Sequence, residues 1–261
     1  MCDFLGMFYA DKPRALQGIY DSPYLIMGRH ALCAEGVAFD GGAAALAFGR
    51  VRNAAALKAR LEAEGYRPDP AGGVSALLLG AYRLWGEECV ERIEGPACCA
   101  VIDQDAGRLL ISRDRMGETR LFYAAHGGSV SFASHPAPLL SAPHVSRTVE
   151  REGFCEVFGL GPARTPSRTP FRDILELEPG CVLTADHGGS HVRRYFSLEV
   201  REHEDDLPRT LEAVRAMVER AVGDVAALKP VSMLSGGVDS TVLTALLARE
   251  NGAVRSFSVD Y

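Results

Sequence analysis

The sequence predicts a two-part α/β chain: a β-rich first part with a few helices, then the opening of a parallel, helix-connected sheet. Three observations carry this. Short apolar runs bounded by turn residues fill the first two thirds. A long amphipathic stretch, 206–228, then reads as a helix. After it comes an apolar run, a glycine turn, a helical stretch and a second apolar run, the β-loop-α-β order of a parallel sheet.

The elements follow in order. The run from Cys2 to Tyr9 reads as a strand, as do Tyr24 to Leu32 and Ala43 to Val51. Ala54 to Gly65 has helical period, with Leu57 and Leu61 on one face and Gly65 as a stop. Ser75 to Trp85 is a second apolar helix, with Trp85 in the core. Ala97 to Asp103 and Gly107 to Asp114 are strands, and Leu121 to Ala125 with Ser129 to Ala133 form a hairpin around Gly127 and Gly128. The Pro-, Arg- and Thr-rich segment from Gly161 to Pro170 is a loop, and strands resume at Cys181 to Thr184 and Val192 to Phe196. Acidic residues cluster near residue 200, where we place a boundary between a domain of 1–200 and one of 201–261; the cluster reads as a solvated helix start.

Composition narrows the function classes. The 261 residues are 47% hydrophobic and 24% charged, which excludes a disordered or fibrous chain. No apolar run approaches the roughly 18 residues of a spanning helix, and no basic segment opens a secretory signal. The net charge of −6 gives no electrostatic reason to bind nucleic acid or anionic lipid. Seven cysteines without a CxxC pair read as reduced thiols of a cytoplasmic protein. Cys98 and Cys99 sit in an apolar strand and read as core. His187 and His191 flank Gly188, Gly189 and Ser190, a turn rather than a metal site.

Two features carry chemistry. Ser235-Gly236-Gly237-Val238-Asp239-Ser240 joins an apolar strand to an apolar helix. Its glycines allow close backbone approach, and the helix N-terminus offers unpaired N–H donors. That is a cradle for pyrophosphate, and without a Lys after the glycines it is not a Walker A loop. At the other end, removal of Met1 would leave Cys2 with a thiol beside a free α-amine of pKa about 7.7–8.0, a nucleophile with its own general base.

These motifs resemble the asparagine synthetase family. Met1-Cys2-Asp3-Phe4-Leu5-Gly6 is similar to its Met-Cys-Gly-Ile-x-Gly opening. The segment from Ser112 to Tyr123 resembles Arg-Asp-x-x-Gly-x-x-Pro-Leu-Tyr-Tyr, and Phe132-Ala133-Ser134 its Phe-Ala-Ser-Glu. Leu177-Glu178-Pro179-Gly180 matches Leu-x-Pro-Gly, and Val231 to Ser240 the PP-loop of the synthetase part. The resemblance implies an αββα N-terminal-nucleophile sandwich followed by the beginning of a PP-loop domain. It implies a catalytic Cys2, a glutamine site with Arg29, Gly49 and Asn53, and an ATP site. In the ATP site Leu234 and Val259 would meet adenine. Ser235, Gly236, Gly237 and Ser240 would hold phosphates, and Asp239 would lie near Mg2+. The implied partners are glutamine, aspartate and ATP, with a homodimer or a complementing synthetase chain.

The chain departs from the pattern. Phe48 stands where the family has an amide for the oxyanion hole, Arg50 replaces an acid, and Val74 replaces the aspartate for the glutamine α-amine. The family's second nucleotide segment does not follow, so the resemblance leads us to expect a truncated or fragmentary chain. Arg113 and Asp114 read as an ion pair bracing the nucleophile's pocket or as a structural pair. Two further readings stay open: an adenylating, amide-forming relative without glutaminase activity, like β-lactam synthetases or lasso-peptide cyclases, and a non-catalytic subunit.

Overall fold

The computed structural model describes residues 4–8, 36–160 and 165–259, and the backbone of 24–27 and 30–34. They form two compact units, 1–198 and 199–261.

The first unit opens with β1 (Phe4–Phe8), β2 (Tyr24–Met27), β3 (His30–Ala34), β4 (Ala38–Asp40) and β5 (Ala43–Gly49). Helices α1 (Ala54–Ala63) and α2 (Gly73–Trp85) precede β6 (Ala97–Asp103), β7 (Arg108–Ser112), β8 (Phe122–His126) and β9 (Ser129–Ala133). Then come α3 (Pro136–Leu139), α4 (Arg151–Gly159), β10 (Leu175–Glu176), β11 (Cys181–Asp186) and β12 (Gly189–Arg194). They build two six-stranded sheets, in the orders β10-β8-β9-β1-β3-β2 and β12-β11-β7-β6-β5-β4. Every pairing in both is antiparallel.

Alternation along the strands sorts side chains into three apolar layers. In β6, Cys98, Ala100 and Ile102 face the other sheet, while Ala97, Cys99 and Val101 face α1 and α2. In β1, Phe4 and Phe8 face between the sheets, while Leu5 and Met7 meet Leu139, Ala142 and Val145 on the far side. The result is an αββα sandwich, as the family resemblance implies. Gly6 makes room for its neighbour: a Cβ there would lie 2.1 Å from the ring of Phe132, its partner in register.

Several expectations are corrected. Tyr24 to Leu32 is not one strand; it divides into β2 and β3, which pair Met27 with His30. Gly28, a turn former, is the signal passed over. Helix α4 was not foreseen, and it buries only Gly153, against Pro170. Trp85 is half-buried: Arg60 and Arg92 lie over its ring at 5.0 and 4.6 Å, and its Nε1 donates to Glu64 at 2.7 Å.

Arg113 and Asp114 show no bond to each other. Each is held by the loop that follows. Arg113 pairs with Glu176 at 2.9 Å and donates to the carbonyls of Leu177, Thr119 and Gly117. Asp114 accepts from the N–H groups of Glu118 and Thr119, both at 2.9 Å, and from the Thr119 hydroxyl.

The second unit contains α5 (Leu207–Ala226), β13 (Ser232–Met233), α6 (Val238–Asn251) and β14 (Ser256–Phe257). Asp206 caps α5 by accepting from the Arg209 N–H at 3.0 Å. The two strands pair in parallel, Ser232 with Ser256 and Met233 with Phe257. Val222, Ala226 and Leu247 form its small core. Leu207, Leu211, Val214 and Met217 of α5 stay exposed, so half of the expected apolar stripe is bare.

Arg113→Ala would leave the half-buried Glu176 without its cation and the carbonyls of Thr119, Gly117 and Leu177 without their donor. We expect a loss of about 3–5 kcal/mol, read from the urea midpoint of the first unit.

Candidate active site

β5 ends in a sharp turn built on two glycines. Gly49 has φ +106°, and a Cβ on it would lie 2.1 Å from the Pro96 carbonyl oxygen. Gly95, opposite, has φ +110° and faces the Arg50 carbonyl in the same way, at 2.4 Å. The backbones are joined by Arg50 N–H to Pro96 O at 2.8 Å and Arg52 N–H to Glu94 O at 2.7 Å.

The ladder sets where the amides point. In an antiparallel pair, hydrogen-bonded and non-hydrogen-bonded positions alternate. Arg50 bonds across to Pro96, so Phe48 faces Cys98 in a bonded pair and Gly49 faces Ala97 in a non-bonded one. The N–H groups of Ala47 and Gly49 therefore point away from β6. Beyond the reach of short β4, the Ala47 N–H donates to the buried Ser75 Oγ at 3.1 Å. The Gly49 N–H points to the same side.

Phe48 and Phe4 meet at the mouth between the sheets, with ring centroids 5.3 Å apart. Phe4 is two residues beyond Cys2 in the sequence. Cys2 and Arg29 themselves lie outside the described residues. The Asn53 amide is engaged at both ends by main chain: Nδ2 donates to Arg92 O at 2.8 Å, and Oδ1 accepts from the Glu94 N–H at 3.0 Å. These two bonds tie Asn53 to the turn. Val74 is half-buried against the α1–α2 layer.

Burial pushes the thiols of Cys89, Cys98 and Cys99 up to about 12, so they are not nucleophiles near neutral pH. Cys155 is exposed. Among the described residues, no group of three or more His, Cys, Asp or Glu is arranged to hold a metal ion.

In the second unit, Leu234 N–H donates to Phe257 O at 2.8 Å and leads out of β13. Gly236 turns with φ +82°, and Gly237 caps α6. The Ser235 N–H reaches Ser240 Oγ at 3.3 Å, and Ser240 Oγ donates to Gly237 O at 3.1 Å. Ser235, Gly236, Gly237 and Asp239 are exposed, with Asp239 in the first helical turn; Val259 is exposed too.

Sequence comparison agrees with this layout. The glutamine amidotransferase domain family matches residues 37–196. The chain belongs to that family. A second match, to asparagine synthase, covers residues 211–261 of this amidotransferase-family chain. Asparagine synthetase [glutamine-hydrolyzing] 3 of Bacillus subtilis is 34% identical over 82% of the chain and 36% of its own length. Asparagine synthetase [glutamine-hydrolyzing] 1 of the same organism is 24% identical over 82% of the chain and 34% of its own length. The chain thus spans about a third of the length of these curated relatives. A glutamine phosphoribosylpyrophosphate amidotransferase from B. subtilis superposes with a TM-score of 0.45 at 13% identity, over 98% of this chain and 59% of that one.

Two outcomes are expected. Gly49→Ala costs about 1–3 kcal/mol by urea denaturation, against about 1 kcal/mol for Gly41→Ala, since a Cβ at Gly41 meets open space. Iodoacetamide at pH 8, mapped by mass spectrometry, labels Cys155 in the native protein and reaches Cys89, Cys98 and Cys99 only after unfolding.

Proposed function

We propose that the first unit hydrolyses the side-chain amide of glutamine, with Cys2 as nucleophile, and that the whole protein delivers the ammonia to an activated aspartate. The observation that carries this is the Gly49 turn. A backbone N–H aimed out of the ladder stands beside Phe48, which packs on the start of the strand that follows Cys2.

The chemistry follows. The Cys2 thiolate attacks the carboxamide carbon, and its α-amine takes the thiol proton. The tetrahedral oxyanion accepts a hydrogen bond from Gly49 N–H. Collapse passes the proton to the leaving nitrogen, ammonia departs, and water hydrolyses the thioester to glutamate. Arg29 suits the substrate α-carboxylate with its fork of donors. Asn53 acts by holding the turn. Phe48 brings no side-chain donor, so the oxyanion hole relies on main chain.

In the second unit the exposed Gly236-Gly237 turn at the α6 N-terminus fits a phosphate, and Ser235 and Ser240 bring hydroxyls to its edge. Leu234 and Val259 would flank adenine, and Asp239 would supply one carboxylate to Mg2+, whose other ligands are phosphate oxygens and water. Bound ATP supplies activation of the aspartate carboxylate as its adenylate. The five described cysteines are free thiols, which suits a reducing cytoplasm.

One observation favours a second reading. Val74 and Phe48 give the neighbourhood of the turn apolar walls. An adenylating, amide-forming enzyme that takes no ammonia from glutamine would tolerate both.

The test is ammonia release from glutamine by the full chain, with Met1 removal confirmed by mass. We expect release that vanishes in Cys2→Ala and a kcat that rises as pH passes through about 7.7–8.0, where the α-amine loses its proton. No release from the native protein would move the assignment to the second reading.

A further inference from the structure

Behind the Gly49 turn lies a polar link that the proposed chemistry does not use. The Thr119 hydroxyl donates to Asp114 Oδ1. Its oxygen is left to accept, and Cys98 Sγ lies 3.0 Å away. Burial keeps that thiol protonated, with its pKa at about 12, so it has a proton to give. Asp114 is 4% exposed and is also held by the N–H groups of Glu118 and Thr119. The loop is fixed a second time by Arg113, whose Nε donates to Thr119 O at 2.8 Å. The link therefore runs from a braced loop onto β6. Cys98 is the register partner of Phe48, the residue before Gly49. An exposed pair, Arg52 to Glu118 at 3.5 Å, joins the same loop to the far side of the turn; such a pair contributes little.

We infer that Thr119 is a positioning residue: through the Cys98 thiol its hydroxyl fixes the end of β6, and so the direction of the Gly49 N–H. The catalytic part of this inference rests on the reading of Gly49 as an oxyanion donor. The positional part does not. Hydroxyl and thiol are matched in order. The carboxylate accepts only, so Thr119 donates to it and keeps its oxygen to accept; the Cys98 thiol has that oxygen at 3.0 Å and the carbonyl of Arg120, the next residue of the same loop, at 3.7 Å. A methyl in place of the hydroxyl breaks the link yet keeps side-chain volume, and both N–H donors to Asp114 remain.

The experiment compares Thr119→Val and Thr119→Ser in the full chain. Two readouts are taken: the 1H–15N resonance of Gly49, and kcat and KM for ammonia release from glutamine. We expect the Gly49 resonance to move in Thr119→Val and to stay in Thr119→Ser. We expect kcat to fall about tenfold in Thr119→Val, with KM within about twofold, and the Ser variant to retain it. An unmoved Gly49 resonance in Thr119→Val overturns the inference whatever the activity. A shift of equal size in Thr119→Ser overturns it as well. A Gly49 shift in a protein that releases no ammonia supports the positional inference and removes the glutaminase reading. Should Thr119→Val not fold, Cys98→Ala takes its place: it keeps the Thr119–Asp114 bond and must move the same resonance, and failure to do so overturns the link.

Discussion

The guanidinium of Arg113 ties the two sheets together at one end. It projects from the residue after β7 of one sheet and reaches Glu176 on β10 of the other, while three more of its donors go to the carbonyls of Gly117, Thr119 and Leu177. A charge with so little exposure is tolerated because each of its three nitrogens meets an oxygen. The Tyr195 hydroxyl then donates to the Arg113 carbonyl at 2.8 Å, which draws the end of β12 onto the same loop. Remove the guanidinium and the loop from 113 to 120 keeps only the Asp114 bonds and loses its tie to the other sheet.

The ends of the ladders explain why the candidate site sits where it does. The body of the sandwich is filled mainly by apolar side chains, and its few buried hydroxyls, such as Ser75 and Ser131, are already bonded within it. Donors become available only where the ladders stop. β4 ends early, so the outward amides of β5 pass from a strand partner to Ser75 and then, at Gly49, out of the sheet. A short edge strand and a left-handed glycine are enough to turn a structural amide into an available one.

Much of this was legible in the sequence, and the exceptions have physical causes. Short apolar runs bounded by turn residues located β5, β6, β7 and the β8–β9 hairpin, because a strand between two apolar layers is apolar on both faces. This signal failed at β2 and β3, where an apolar run hides a reversal. It failed at α4, whose apolar residues face solvent and so leave no burial signal. Gly49 was found through its place in a motif, and its φ of +106° gives the reason a glycine is needed. Asn53 was expected to meet substrate, but main-chain groups 39 and 41 residues away hold its amide, a distance no local pattern reveals. The carboxylate that Arg113 meets is likewise on a remote strand, while its neighbour Asp114 serves the loop. Thr119 lay inside a quoted motif without a role; only the fold brings Cys98 to it.

The uneven distribution of buried surface has a thermodynamic consequence. The first unit has three apolar layers, whereas the second rests on Val222, Ala226 and Leu247. Its strands are each two residues long, and many of its large apolar side chains are wet. Cooperative units open with free energies that follow their burial. Amide protons of α5 and α6 are therefore expected to exchange at a lower opening free energy than those of the sandwich strands of this chain. A single midpoint or a single unfolding free energy does not describe it.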